Sequence, residues 1–360
     1  MSTAGIKVFQ ALSVKDHPTI IDDKHSPDLS NVRIDNPIGA LVNMEGTEKY
    51  NSVGFGNPIV AIHQLNGHIF SLSGSKLYEG YPVWETLTGF NNPRGIYYDS
   101  TSEYCYVADY LNFRIVKTKI DGTGWTVLGG TQGSGVNQFN SANDIHYDPA
   151  SEFIYVTDRG NHRIVKTKID GSGWTTYGSS GSGVGQFGYL HGIHYDPASE
   201  FIYVADESND RIVKTKIDGS GWTSLGGFEP GARGIYYDSA SEYIYVANSG
   251  YGVARIVKTK IDGTGWTTYG SQGSGVGQFN GCEDVCYDSA TGYCYVIDRS
   301  NFRIVKTKID GTGWTTYGSS GSGVGEFNSP RGIYYDSISK YIYVADTNNN
   351  RIVKTDAGWA

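Results

Sequence analysis

Residues 303–318 read RIVKTKIDGTGWTTYG, and the same string returns with at most three changes at Arg114, Arg163, Arg211 and Arg255. Its tryptophan marks a longer unit. All seven tryptophans, Trp84, Trp125, Trp174, Trp222, Trp266, Trp314 and Trp359, hold the same position, with successive spacings of 41, 49, 48, 44, 48 and 45 residues. Between the strings lie a Gly-rich stretch ending in Gln-Phe-Asn, a Gly-Ile-Tyr-Tyr-Asp segment and a Tyr-Ile-Tyr-Val-Ala-Asp segment. A period of about 40–50 residues with several short strands per unit is the pattern of a β-propeller, whose blades bury their faces only against one another.

Turn residues and alternation divide each unit into four antiparallel strands, a to d. Strand a is the Gly-Ile-Tyr-Tyr-Asp segment (residues 95–99, 234–238 and 332–336). Strand b is Tyr-Ile-Tyr-Val-Ala (243–247), strand c begins at the Arg (163–169), and strand d begins at the Trp. Both faces carry β-branched or aromatic residues, as sheets packed between two neighbours require. Six units are nearly identical. Residues 58–90 form a degenerate seventh, with Trp84 opening its strand d. The tryptophan count predicts an all-β, single propeller of seven four-stranded blades. The alternative is six, with 58–80 as a linker and residues 84–88 completing the ring.

The last unit stops soon after strand c, so a segment from elsewhere must supply its outer strand. Residues 39–53, with the run Ala40-Leu41-Val42, are assigned as this N-terminal closing strand, which would hide an edge. Residues 1–38 carry His17-Pro18, Ser26-Pro27 and Asn36-Pro37 breaks and read as an extended arm. The expected organisation is thus an arm (1–38), a closing strand (39–53), a degenerate blade (58–90) and regular blades (91–360).

Lys and Arg total 29 against 37 Asp and Glu, a net charge of −8, so the surface should repel polyanions unless a basic face is segregated. No nucleic-acid contact through a basic patch is expected. Residues 1–7 lead into no apolar run of a signal peptide, and no stretch is long enough to span a bilayer, so neither a Sec signal nor a membrane partner is expected. Four cysteines make no disulfide framework. Cys105 and Cys294 replace Phe or Ile at one position, and Cys282 and Cys286 lie too far apart on a strand to bridge, which leaves a Cys286–Cys294 pair across a hairpin open.

Residues 321–352, GSGVGEFNSPRGIYYDSISKYIYVADTNNNRI, resemble the NHL repeat family of propellers in their Gly-x-Gly-x-Phe-x-x-Pro-x-Gly connector, Val-Ala-Asp and Asn-x-Arg-Ile. The resemblance implies strand a innermost and leaves function open, since members include lyases, RNA-binding modules, receptors and scaffolds. Upstream, Ser26-Pro27-Asp28-Leu29-Ser30-Asn31-Val32-Arg33-Ile34, then Gly39-Ala40-Leu41 and residues 46–50, resemble the entry of tail-nozzle-type propellers of tailed bacteriophages. The chain departs from that pattern at Glu45-Gly46, where an Arg-Pro-Gly turn is usual.

Residues that repeat should serve the frame, and residues that break the repeat are where a ligand or partner would be met. The frame set is the acid ending strand b with the Arg five residues on, Asp109 with Arg114, Asp158 with Arg163, Asp206 with Arg211, Asp298 with Arg303 and Asp346 with Arg351, together with the tryptophans. The tyrosines are expected to pack between blades, and Phe187 to plug a blade junction. The first residue of strand a varies as Arg94, Asn143, His191, Arg233, Glu283 and Arg331, and Asp144 and Asp284 replace the following Gly twice. These should ring a solvated channel mouth. The b–c loops vary too, which nominates Tyr110, Phe113, Arg159, His162, Tyr251, Arg299 and Phe302 as contacts. His146, His191 and His194 are the one set that could hold a metal. No cofactor motif and no catalytic set appears.

The expectation is a non-enzymatic interaction propeller in a tailed-phage particle, at the tail or head–tail junction, partnered by other virion proteins in a symmetric oligomer. The alternatives are a secreted or surface propeller binding a glycan or protein, and a metal-dependent lyase or lactonase.

Overall fold

A computed structural model describes residues 83–356 throughout, and before them residues 59–65, 68–73 and 76–81. The chain divides into two units, Met1–Val83 and Trp84–Ala360. In the first, Ile59–Leu65, His68–Ser73 and Lys76–Tyr81 form a three-stranded antiparallel meander. The second is a propeller of six blades.

Strand a of blades one to six is Pro93–Asp99, Ala142–Asp148, Leu190–Asp196, Ala232–Asp238, Cys282–Asp288 and Ile333–Tyr335. Each pairs with the next strand in the chain, and the order a-b-c-d holds in every blade. Blade six takes its outer strand from the front of the unit: Trp84–Thr88 pairs antiparallel with Arg351–Asp356, Trp84 opposite Thr355 and Thr88 opposite Arg351. Two expectations are corrected here. The ring has six blades, the alternative reading, because Trp84–Thr88 completes the last blade and does not belong to a seventh. The outer position assigned to residues 39–53 is filled by Trp84–Thr88, which is already in register with strand c. Residues 39–53, the 1–38 arm and Trp359 lie outside the described residues.

Each blade interface repeats one device. The Tyr at the third position of strand b stacks on the Tyr before the final Asp of the next strand a: Tyr106 on Tyr147, Tyr155 on Tyr195, Tyr203 on Tyr237, Tyr245 on Tyr287 and Tyr295 on Tyr335, with centroids 3.9–4.5 Å apart. Tyr343 on Tyr98, at 4.1 Å and 19°, closes the ring with the same contact. Thr347 adds a hydrogen bond from its hydroxyl to the Pro93 carbonyl across the same seam. Phe139, Phe187, Phe228, Phe279 and Phe327, at the end of each Gly-rich connector, are fully buried and wedge between blades.

The tryptophans back these phenylalanines from outside, Trp222 on Phe187 at 5.3 Å and Trp314 on Phe279 at 5.2 Å. Trp125 and Trp266 remain 36% and 38% exposed, and the regular strands d begin one residue after the Trp. The buried wedge is the Phe, the place expected of Phe187, and the indole covers it from outside. The frame acids are fully buried. Asp206 accepts from Arg211 Nε (2.9 Å), Asn209 Nδ2 (2.8 Å) and the Gly188 amide (2.8 Å), while Arg211 donates onward to the Ser182 and Gln186 carbonyls. The set recurs at Asp158, Asp298 and Asp346. It clamps a single 3-10 turn between strands b and c and ties that turn to the connector behind it.

Candidate functional site: the axial channel

Strand a of every blade packs on strand a of the next, so these strands wall the axis. Their register against strand b shifts at the head in blades one to five, and such a bulge lets two successive residues face inward. Three layers result. The outer layer is Arg94, Asn143, His191, Arg233, Glu283 and Arg331. Beneath it come Gly95, Asp144, Gly192, Gly234, Asp284 and Gly332. Tyr97, His146, His194, Tyr236, Cys286 and Tyr334 line a cavity of about 230 Å³ that continues to the a–b turns.

The outer layer was expected to be solvated, and the structure corrects this. Glu283 is fully buried and His191 is 7% exposed. Six side chains converging on one axis exclude water by crowding, and they bond to each other instead. Glu283 accepts from Arg233 through Oε2 and from Arg331 through Oε1, with His191 Nε2 3.5 Å from Oε1. Arg94 donates to Asn143 Oδ1 at 2.8 Å, and Asn143 Nδ2 donates to the His191 carbonyl. Burial alone would push the Glu283 carboxyl up; His191, Arg331 and Arg233 outweigh it and hold the group well below the usual range.

The middle layer repeats as Gly-Asp-Gly twice around the ring. Asp144 Oδ2 accepts from the Ile193 amide at 2.8 Å and Asp284 Oδ2 from the Ile333 amide at 2.9 Å, each reaching into the next blade. Glycine beside them is required by space: a Cβ on Gly95 would lie 2.2 Å from Asp144 Oδ1, and one on Gly234 2.2 Å from Asp284 Oδ1. Burial inside the ring raises Asp144 to about 7. Burial, then the charge of Asp144, raises Asp284 well above the ordinary range.

In the inner layer the rings of His146 and His194 lie 4.6 Å apart between Tyr97 and Tyr236. Burial holds both imidazoles down, His194 to about 4, so both are neutral at pH 7. His191 sits two layers away, on Glu283. The three histidines nominated as a metal set are therefore not one set, and among the described residues no group of three His, Cys, Asp or Glu side chains is placed to hold an ion.

The b–c turns surround the mouth. Arg159 pairs with Glu207 at 2.8 Å, and Glu207 lies 3.5 Å from Arg233 Nε. The Arg94 guanidinium stacks on Tyr110 at 3.3 Å, and Arg159 lies over Tyr189 at 4.8 Å. Phe113, His162 and Phe302 close their turns in the left-handed conformation, with φ of 53°, 54° and 55°. His162 Nδ1 bonds the Gly188 carbonyl at 2.8 Å and stacks on Tyr189. Tyr251 stands fully exposed at the tip of the one lengthened turn. Glu207 was not nominated, although a signal existed: it occupies the slot after the frame Asp where Arg159 and Arg299 stand in other blades. The four cysteines are free and buried. Cys286 lies opposite Tyr295 and Cys294 opposite Tyr287, a one-residue offset that turns the two thiols to opposite faces.

The architecture and its closed inter-blade contacts define a β-propeller. Among solved structures the chain is similar to a Bacteroides thetaiotaomicron auxiliary nutrient binding protein, at 15% identity over 80% of this chain and 83% of that one, TM-score 0.56. It is also similar to a streptogramin B lyase, at 12% identity over 76% and 97%, TM-score 0.54, and to the nidogen/laminin complex, at 16% over 69% and 89%, TM-score 0.52. At these identities the likeness extends to the fold alone. No family model and no curated protein sequence matches the chain. No helix among the described residues is long and apolar enough to cross a membrane.

Proposed function

We propose that this chain is a non-enzymatic interaction propeller of the NHL-repeat type, whose contact face is the channel mouth with its surrounding b–c turns. The observation that carries this is where the repeat breaks. Substitutions at the head of strand a and in the b–c turns gather at one end of the axis, in a network of ion pairs and cation–ring stacks. Loops that differ on a fixed frame are the usual place for recognition. Burial outweighs the pull of the Asp196 and Asp238 carboxylates on His194, and the inner histidine pair stays neutral at pH 7.

The setting we propose is the particle of a tailed virus, with other virion proteins as partners, from the Ser26–Ile34 pattern of the arm. Negative-stain microscopy of purified particles with an antibody against this chain tests it, and the expected result is labelling at the tail or head–tail junction. Signal confined to soluble protein, together with specific hits on a glycan array, would replace this setting by that of a free glycan-binding propeller.

A further inference from the structure

Five arginines, Arg94, Arg159, Arg233, Arg299 and Arg331, meet around the mouth; among the described residues two carboxylates, Glu207 and Glu283, pair with them, and the carboxyls of Asp144 and Asp284 in the layer beneath are raised toward the protonated form. The excess is three positive charges at one spot on a chain of net charge −8. The guanidinia sense each other. Burial, then Arg331 and Arg159, lowers Arg94 to about 9, and burial, Arg299, Arg233 and Arg159 lower Arg331 against the opposing pull of Glu283. Both oxygens of Glu283 are already used. Among the described residues Arg94 donates to two neutral acceptors, Asn143 Oδ1 and Asn92 Oδ1. The Nε atom of Arg299 is buried with no hydrogen-bond acceptor among the described residues, whereas Arg233 Nε has the Glu207 carboxylate 3.5 Å away.

We infer that this arginine cup binds a carboxylate-bearing group, carried by an acidic segment of a protein partner or by a free polycarboxylate. Glu283 shows how the cup handles such a group, since it draws a donor from each of two arginines on different blades. The stack on Tyr110 fixes the plane of the Arg94 guanidinium before any ligand arrives, which lowers the ordering cost of binding. A long polyanion fits poorly, because it needs a track of free cations. Beyond the cup, one recurring lysine of each of four blades is paired with a glutamate, Lys119 with Glu103, Lys168 with Glu152, Lys216 with Glu200 and Lys260 with Glu242, and the other, Lys117, Lys166, Lys214 or Lys258, lies over an aromatic ring.

This inference rests on the interaction reading for who supplies the group, and its chemistry is tested separately. Isothermal titration calorimetry of the full chain at low ionic strength would use citrate, hexaglutamate, inorganic phosphate and a single-stranded RNA 20-mer. One equivalent of citrate or hexaglutamate is expected to bind. Arg94→Gln and Arg299→Gln should each weaken that binding at least about tenfold, and Lys214→Gln on strand c of blade three should leave it unchanged. Binding of citrate alone assigns a free ligand, and binding of hexaglutamate alone a partner segment. If Arg94→Gln fails to fold, Arg299→Gln carries the test. No binding of either carboxylate probe, tighter binding of phosphate or RNA, or equal weakening by Lys214→Gln overturns the inference. Particle labelling without carboxylate binding would overturn it and leave the interaction reading standing.

Discussion

Asp144 and Asp284 face the channel from opposite walls, three blades apart, each where the other four blades carry glycine and each bonded to an amide of the following blade. Their raised protonation ranges make the ring sensitive to pH in a defined direction. With Asp144 near 7 in the folded chain and near 3.8 unfolded, the folded state holds the extra proton between those values. The associated stability is present below about pH 4 and is lost as pH rises through 7. The depressed His146 and His194 act oppositely, with stability present above their unfolded value and lost as pH falls.

Comparing Asp144→Asn with the parent cancels the histidine contribution. The variant's advantage in thermal melts should grow from pH 4 to pH 7, reaching about 2–4 kcal/mol after allowance for channel water. A difference that stays flat across this window would contradict the assigned direction.

Ring closure by Trp84–Thr88 predicts a sharp boundary in a truncation series. A chain of residues 83–360 keeps every ladder of the six blades and should melt with the cooperativity of its full-length propeller. A chain of residues 89–360 loses the outer strand of blade six, exposes the edge of Arg351–Asp356, and should melt earlier and aggregate. Equal melting of the two would rule out this closure.

Glu283→Ala should be as damaging as a frame mutation. Removing a fully buried carboxylate leaves Arg331 without its ion pair and Arg233 with Glu207 alone, a change worth about 3 kcal/mol or more. Asp206→Ala, which frees Arg211, Asn209 and the Gly188 amide, should cost a similar amount. Chemical denaturation of both variants checks this, and near-parental stability of Glu283→Ala would return the outer layer to solvent.

The tyrosine stacks predict coupling across blade boundaries. A double-mutant cycle on Tyr203 and Tyr237, which stack at 4.1 Å, should give an interaction energy of about 1 kcal/mol. The pair Tyr203 and Tyr98, which do not share a stack, should give additive effects in the same assay.

The propeller was legible because each unit states its own turns, frame acid and strand pattern. The blade number was not legible from tryptophans, because closure moves the first of them into the last blade and so shifts the count. The deviating positions on strand a were visible, and the structure brings all six to one mouth. What the sequence hid was their burial. A residue such as Glu283 looks like an exposed charge until five other side chains are placed around the same axis. The separation of His191 from His146 and His194 was equally hidden, since it depends on the bulge that sets which residues of strand a form each layer.

The antiparallel seam of blade six also decides how the ring answers a pull. Trp84 lies opposite Thr355, so the chain leaves both strands of the seam at the same end of the ladder. Tension applied between residues 83 and 356 would open the pairs from Trp84–Thr355 toward Thr88–Arg351 one after another, as a zip, at low force. Tension between residue 83 and the far side of the ring would load all five pairs together in shear. The propeller is thus mechanically anisotropic, firm against load passed through its body and weak against separation of the strands at its own seam.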